Sequence, residues 1–310
     1  MNSSFYSKYK GEIILLLVTL LWSATFVIVK ESLADISSML FNGLRFLIAG
    51  VILLPIIIQK KLEWKSTNLI PAIFLSVLLF VGFATQTIGL QYTSATKSAF
   101  LTGSSVAIIP FIQLFLERRK PKTGAIIGVS IVLIGILFLS AGESISTLIT
   151  DIITNFNFGD FLTLICAFLF AVYVVYLDIL SKKYDSWMLL FIQITIVAIL
   201  SFVSAFLFDI VNYEPLKIHL TKSLGFGLLY TSIFATLITF TLMTKYQKLV
   251  TPTKAGIVYS FEPIFASIIA LIFISEKITP LGIFGAGLIF VGLIISETFD
   301  NIVGYLQKSD

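Results

Sequence analysis

The sequence predicts an all-α integral membrane protein of ten transmembrane helices, built as two inverted five-helix repeats. Three observations carry that expectation: a mean hydropathy of +1.02 over 310 residues, a regular succession of apolar runs, and a motif that recurs in the second half. With 57% hydrophobic and 12% charged residues, the chain is more apolar than a water-soluble core of this length requires.

A helix rises 1.5 Å per residue, so about 17–25 apolar residues cross the hydrocarbon layer. Runs of that length cover Ile13–Val29, Met39–Ile58, Leu69–Leu90, Ala95–Leu116, Gly124–Ala141, Phe161–Leu180, Trp187–Phe208, Leu224–Thr244, Thr253–Phe273 and Leu281–Ser296. The first follows Lys8 and Lys10 and ends in Lys30-Glu31 without a small-residue cleavage site, so it reads as a retained span and not a signal peptide.

The net charge of +4 gathers in short clusters between these runs, which orient a chain in a bilayer and do not make a nucleic-acid surface. A cytoplasmic N-terminus puts Lys60, Lys61, Lys65, Arg118, Arg119, Lys120, Lys122, Lys182, Lys183, Lys245 and Lys248 inside. The loops Glu143–Gly159 and Asp209–Lys222 then fall outside, and both termini are cytoplasmic. The expected location is the cytoplasmic membrane.

Ser94-Ala95-Thr96-Lys97-Ser98-Ala99 returns as Thr251-Pro252-Thr253-Lys254-Ala255-Gly256. Each opens a long apolar run ending in a Glu followed by a basic residue, Glu117-Arg118 and Glu276-Lys277, and the next run is glycine-rich both times. Matched features in the same order indicate a repeat. Five crossings per copy is an odd number, so the second copy enters the bilayer upside down. The divisions are a first repeat over 1–142, an extracytoplasmic linker over 143–159, a second repeat over 160–297 and a cytoplasmic tail over 298–310. Inverted repeats are the architecture of secondary transporters, which hold a small-molecule substrate near midplane between the halves.

Several segments resemble the drug/metabolite transporter superfamily, specifically its EamA-type ten-helix members. They are Leu21-Trp22-Ser23-Ala24-Thr25-Phe26, Arg45-Phe46-Leu47-Ile48-Ala49-Gly50, Ser98-Ala99-Phe100-Leu101-Thr102-Gly103, Gly159-Asp160-Phe161 and Phe261-Glu262-Pro263-Ile264-Phe265-Ala266. The resemblance spans essentially the whole chain and implies a secondary transporter, commonly an exporter of amino acids or related metabolites. The first copy departs from the pattern, carrying Ser105-Val106 where the second has Glu262-Pro263, with Pro110 further on. The two halves are therefore expected to kink at different depths, at Pro110 and Pro263.

Charges inside a bilayer are costly and face protein or water, so the few present are site candidates. Glu262, near midplane, suits a substrate cation or a proton; the alternative is a structural carboxylate bonded across the Pro263 kink. Arg45 suits a substrate carboxylate through its planar fork; the alternatives are snorkelling or a salt bridge with Glu262. Lys97 and Lys254 lie closer to their span ends, where snorkelling accounts for them. Trp22, Gln86, Tyr173, Tyr176, Gln193 and Tyr259 offer aromatic walls and hydrogen-bond partners for a cavity, or else interhelical packing. Asp178 and Lys182 form an i, i+4 pair.

The sole cysteine, Cys166, forms no intramolecular disulfide. With His219 as the one histidine and no Gly-rich ATP loop, the sequence implies no metal, cofactor or ATP hydrolysis. It reads as a non-enzyme; a channel or scaffold is the main rival to a carrier, and an integral membrane enzyme the lesser one. The glycines of the fifth and tenth runs suit packing within one chain or a homodimer.

Overall fold

The structure, a computed structural model, describes residues 9–60, 69–118, 120–140, 144, 146, 150, 156–274 and 279–309. Lys8, Lys61, Lys65, Arg119, Glu143, Glu276 and Lys277 lie outside the described residues, as does most of the predicted linker. Among the described residues the chain is helical, and its one extended pairing is an isolated antiparallel bridge between Ile36 and Ile218.

In chain order the helices are α1 (Lys10–Ser23), α2 (Thr25–Ser32), α3 (Ser38–Lys60), α4 (Ile70–Tyr92), α5 (Ala95–Gly103), α6 (Ser105–Glu117), α7 (Thr123–Ser140) and α8 (Phe158–Ser181). They continue as α9 (Ser186–Ile210), α10 (Lys222–Ser232), α11 (Thr239–Tyr246), α12 (Pro252–Tyr259), α13 (Glu262–Ile274) and α14 (Pro280–Ser309). Among the described residues, eight stretches are long and apolar enough to cross a membrane: Lys10–Ser32, Ser38–Lys60, Ile70–Tyr92, Ala95–Glu117, Phe158–Ser181, Ser186–Ile210, Lys222–Leu249 and Pro280–Asp300. Two of the ten expected runs are not among these eight: α7 is shorter, and the ninth is divided into α12 and α13. The predicted tail from 298 continues α14 to Ser309.

Apolar side chains cover the outside as well as the interior. Phe111 and Phe115 on α6 are 73% and 83% exposed, and Val51, Ile58, Phe206 and Ile210 stand out on α3 and α9. Such a surface requires lipid in place of water. The bilayer supplies little drive to bring helices together, so close backbone approach and interhelical hydrogen bonds do that work. A Cβ at Gly128 of α7 would lie 2.6 Å from the carbonyl oxygen of Gly292 in α14. The glycines of the fifth and tenth runs thus meet each other within one chain. Inside the bundle, Asn42 Nδ2 donates to Thr87 Oγ1 at 3.1 Å.

Polar ties cluster at the helix ends. Asn157 and Asp160 form a reciprocal capping box at the start of α8. Asp160 also accepts from Thr93 Oγ1 at 2.5 Å and pairs with Lys97 Nζ at 2.8 Å. Lys97 is therefore drawn to a buried carboxylate and not to the headgroups that snorkelling implies. On the same end, Glu214 accepts from the Ser38 backbone N–H and from Gln91 Nε2, holding the loop before α10 onto α3 and α4.

Candidate functional site

Three membrane runs are broken mid-span by the same device. Ser and Thr hydroxyls donate to carbonyls one tight turn back, competing with the helix's own bonds. Ser23 Oγ donates to Leu20 O at 2.7 Å and Thr25 Oγ1 to Trp22 O at 2.6 Å, around the break at Ala24. Ser104 Oγ donates to Leu101 O and Ser260 Oγ to Ile257 O, each at 2.6 Å, at the ends of α5 and α12. The fourth run is thus interrupted at Ser104 and not at Pro110, which lies inside the continuous α6. Pro263, by contrast, follows its break directly, at the start of α13. The two breaks also meet: a Cβ on Gly103 would touch Pro263 at 3.4 Å.

A fourth irregularity is a π-helical turn, Ile233–Ile238, between α10 and α11. A π turn frees backbone carbonyls and often marks a functional site. Here the Ala235 oxygen accepts from Trp22 Nε1 and from Arg45 Nη2, both at 3.0 Å. Arg45 Nε donates to Thr236 Oγ1 at 2.7 Å, and the guanidinium lies 4.7 Å from the centre of the Phe83 ring. Arg45 is 3% exposed, so it does not snorkel.

These irregular points surround a cavity. Arg45 and Glu262 both line it. They form no ion pair with each other, the Glu262 carboxylate accepts no hydrogen bond from a described residue, and the Arg45 Nη1 edge has no partner among them. Glu262 stands in the first turn of α13, where the helix dipole favours negative charge. Trp22, Gln86, Tyr173 and Tyr259 also line the cavity, with Phe83 and Phe240 as further aromatic walls.

The remaining sequence candidates lie elsewhere. Gln193 stands behind the wall, accepting from Tyr173 Oη at 2.6 Å. Tyr176 packs edge-on against Phe74, 5.1 Å between ring centres. Lys97 is held by Asp160, and Lys254, at the start of α12, is not among the lining residues. Among the described residues no cluster of three or more His, Cys, Asp or Glu is suited to a metal.

An apolar helical bundle around a cavity with one carboxylate and one guanidinium is what a membrane carrier of polar solutes needs. The EamA-like transporter family matches residues 9–141 and again 157–298. The chain belongs to that family. An uncharacterized transporter of Archaeoglobus fulgidus is 30% identical over 281 residues, 91% of this chain and 83% of the relative. An S-adenosylmethionine/S-adenosylhomocysteine transporter of Chlamydia muridarum is 23% identical, covering 99% of this chain and 98% of the relative. A solved crystal structure superposes with a TM-score of 0.76 at 16% identity, over 96% of this chain and 99% of that one, a likeness of fold alone.

In this EamA-like transporter, sequence reasoning passed over the small hydroxyl residues. Thr25, Thr102 and Ser105 line the cavity, and their signal was there to read: hydroxyl residues in mid-run, where an uninterrupted span gains nothing from them. Gln247 was also passed over. It accepts from Tyr259 Oη at 3.0 Å and donates to Val174 O at 2.6 Å, fixing one cavity wall.

Proposed function

We propose that this transporter exports amino acids, or metabolites bearing an amino-acid end, across the cytoplasmic membrane by alternating access. Its frame in this reading is ten crossings arranged as two inverted five-helix repeats, over 1–142 and 160–297, with both termini cytoplasmic.

The observation that carries the reading is the separation of Arg45 and Glu262 across one cavity without an ion pair. Two opposite charges left unneutralised by each other match a substrate that carries both. The free Nη1 edge of Arg45 receives a carboxylate, Glu262 receives the ammonium group, and the aromatic walls take the side chain. The Chlamydia relative, named for S-adenosylmethionine and S-adenosylhomocysteine, supports a cargo with such an end.

Matching local structure supports the repeat. Ser94 Oγ accepts from the Lys97 N–H and Thr251 Oγ1 from the Lys254 N–H, capping α5 and α12 alike. In that register the second segments begin at Ser105 and at Glu262, and both residues line the cavity. Discontinuous helices whose ends face a midplane site are how inverted-repeat carriers present backbone dipoles to cargo.

Counterflow in proteoliposomes tests the proposal. Vesicles loaded with a panel of unlabelled amino acids and S-adenosylmethionine are given trace labelled compound outside. Saturable, stereoselective accumulation of at least one of them is expected. Leak that grows linearly with concentration would identify a channel, and exclusion of every zwitterion would end the amino-acid reading.

A further inference from the structure

The end of the bundle that carries Glu214 closes over the cavity through a short chain of polar bonds. α4 ends at Tyr92, and the last carbonyls of a helix have no partner in its own ladder. Lys30, near the end of α2, serves them from another element. Its Nζ donates to Leu90 O at 2.5 Å, to Thr93 O at 2.9 Å and, at a longer 3.4 Å, to Gln91 O. A cation there also suits the negative end of the helix dipole. Gln91 Nε2 reaches the other way, donating to Glu214 Oε1 at 2.5 Å. This cap lies just beyond the cavity. Thr25, Gln86 and Thr102 line the cavity, and five, four and five residues separate them from Lys30, Leu90 and Lys97 on the same three helices. At 1.5 Å per residue, the cap stands about 6–8 Å from the lining.

The two sides of the α4–α5 turn are held differently. Toward α8 the turn is locked: a Cβ on Gly159 would lie 2.9 Å from the Thr93 backbone nitrogen, and the fully buried Asp160 holds both Thr93 and Lys97. Parting there would strand a buried carboxylate. Toward α2 the acceptors are neutral carbonyls and Lys30 is half-buried. Release on that side returns the ammonium to water and leaves carbonyls that incoming water can serve. We propose that Lys30 is a latch: it shuts the seam between α2 and the α4–α5 turn, and its release opens the cavity to this face of the membrane. This role rests on the alternating-access reading, but its test needs no substrate.

Thr102→Cys in a Cys166→Ala background places a single thiol in the cavity lining. A membrane-impermeant maleimide is given to intact cells and to inverted membrane vesicles, which present opposite faces; the latch face is the one at which Leu220→Cys, 88% exposed, is labelled. Lys30→Met keeps the apolar stem and removes the donors. Labelling of the cavity thiol from the latch face should quicken roughly tenfold or more, the shift that loss of one charge-assisted hydrogen bond brings. Lys30→Arg, which still donates to the carbonyls, should label as slowly as the parent. An unchanged rate in Lys30→Met would overturn the latch. So would an equal rise from both faces, the mark of general loosening. Should Lys30→Met fail to fold, Gln91→Leu breaks the neighbouring tie to Glu214 and is held to the same outcomes. Faster labelling in a chain that shows no counterflow would support the latch and end the transport reading alone.

Discussion

Trp22 and Arg45 donate to one and the same acceptor, the carbonyl oxygen of Ala235, each at 3.0 Å. That oxygen is available because the π turn lifts it out of the regular helix ladder. The indole and the guanidinium, from α1 and α3, are thereby fixed on the same wall of the cavity. Held by Nε and Nη2, Arg45 keeps its Nη1 edge without a partner among the described residues.

Replacing Arg45 with Lys should therefore weaken carboxylate recognition without unfolding the chain. Lys reproduces the charge but not the fork that bonds Ala235 and Thr236 while still facing the cavity. Loss of one charge-assisted bond is worth about 1.5–3 kcal/mol, so the apparent affinity for a carboxylate substrate falls roughly tenfold or more. Concentration dependence of counterflow for the two forms measures it; equal half-saturation would make Arg45 a structural pin only.

Glu262→Gln keeps the shape and removes the ionisable group. Insertion and thermal stability should stay near those of the parent, while the pH dependence of transport flattens and cationic or zwitterionic cargo is lost. The comparison is uptake across a pH series at matched protein density. An unaltered profile would remove Glu262 from the transport cycle.

The Lys97–Asp160 pair predicts an asymmetric response to mutation. Asp160 is fully buried and Lys97 is 19% exposed, so Lys97→Met leaves a buried carboxylate short of its partner. The expected cost is on the order of 2 kcal/mol, below that of a fully enclosed pair because solvent reaches Lys97. Combining Lys97→Met with Asp160→Asn should recover part of it. Thermal unfolding in detergent reads both, and strictly additive losses would mean the pair is not coupled.

Gly128→Ala and Gly287→Ala should separate sharply. The first puts a methyl group 2.6 Å from a backbone oxygen of α14, whereas nothing lies within 4 Å of the second. Forcing α7 from α14 costs about 1–3 kcal/mol, and Gly287→Ala should be silent or slightly stabilising. Melting temperatures of the two variants decide the point.

Much of the fold was legible because its signals are long: apolar runs set by bilayer thickness, and glycines spaced for close approach. That Trp22, Arg45, Gln86, Tyr173, Tyr259 and Glu262 share one cavity lining was legible because polar or aromatic groups inside apolar runs are few. The break at Ser104 was hidden by Pro110, a stronger helix breaker on its own. Three-residue hydroxyl bonds need a neighbouring element to stabilise the turn, which a single run does not reveal. The π turn had no signature at all, since its Ala235 carbonyl is satisfied by Trp22 and Arg45, far away in sequence. Lys97 was misjudged because its partner, Asp160, comes from another helix.

The first residues of α6 and α13 differ in charge, a hydroxyl at Ser105 against an acid at Glu262. In the proposed reading, an ammonium ion gripped by that acid travels with α13, while α6 offers it only a neutral surface to slide past. The passenger then has a single seat, fastened to one moving part. Exchanging the two residues would fasten it to the other.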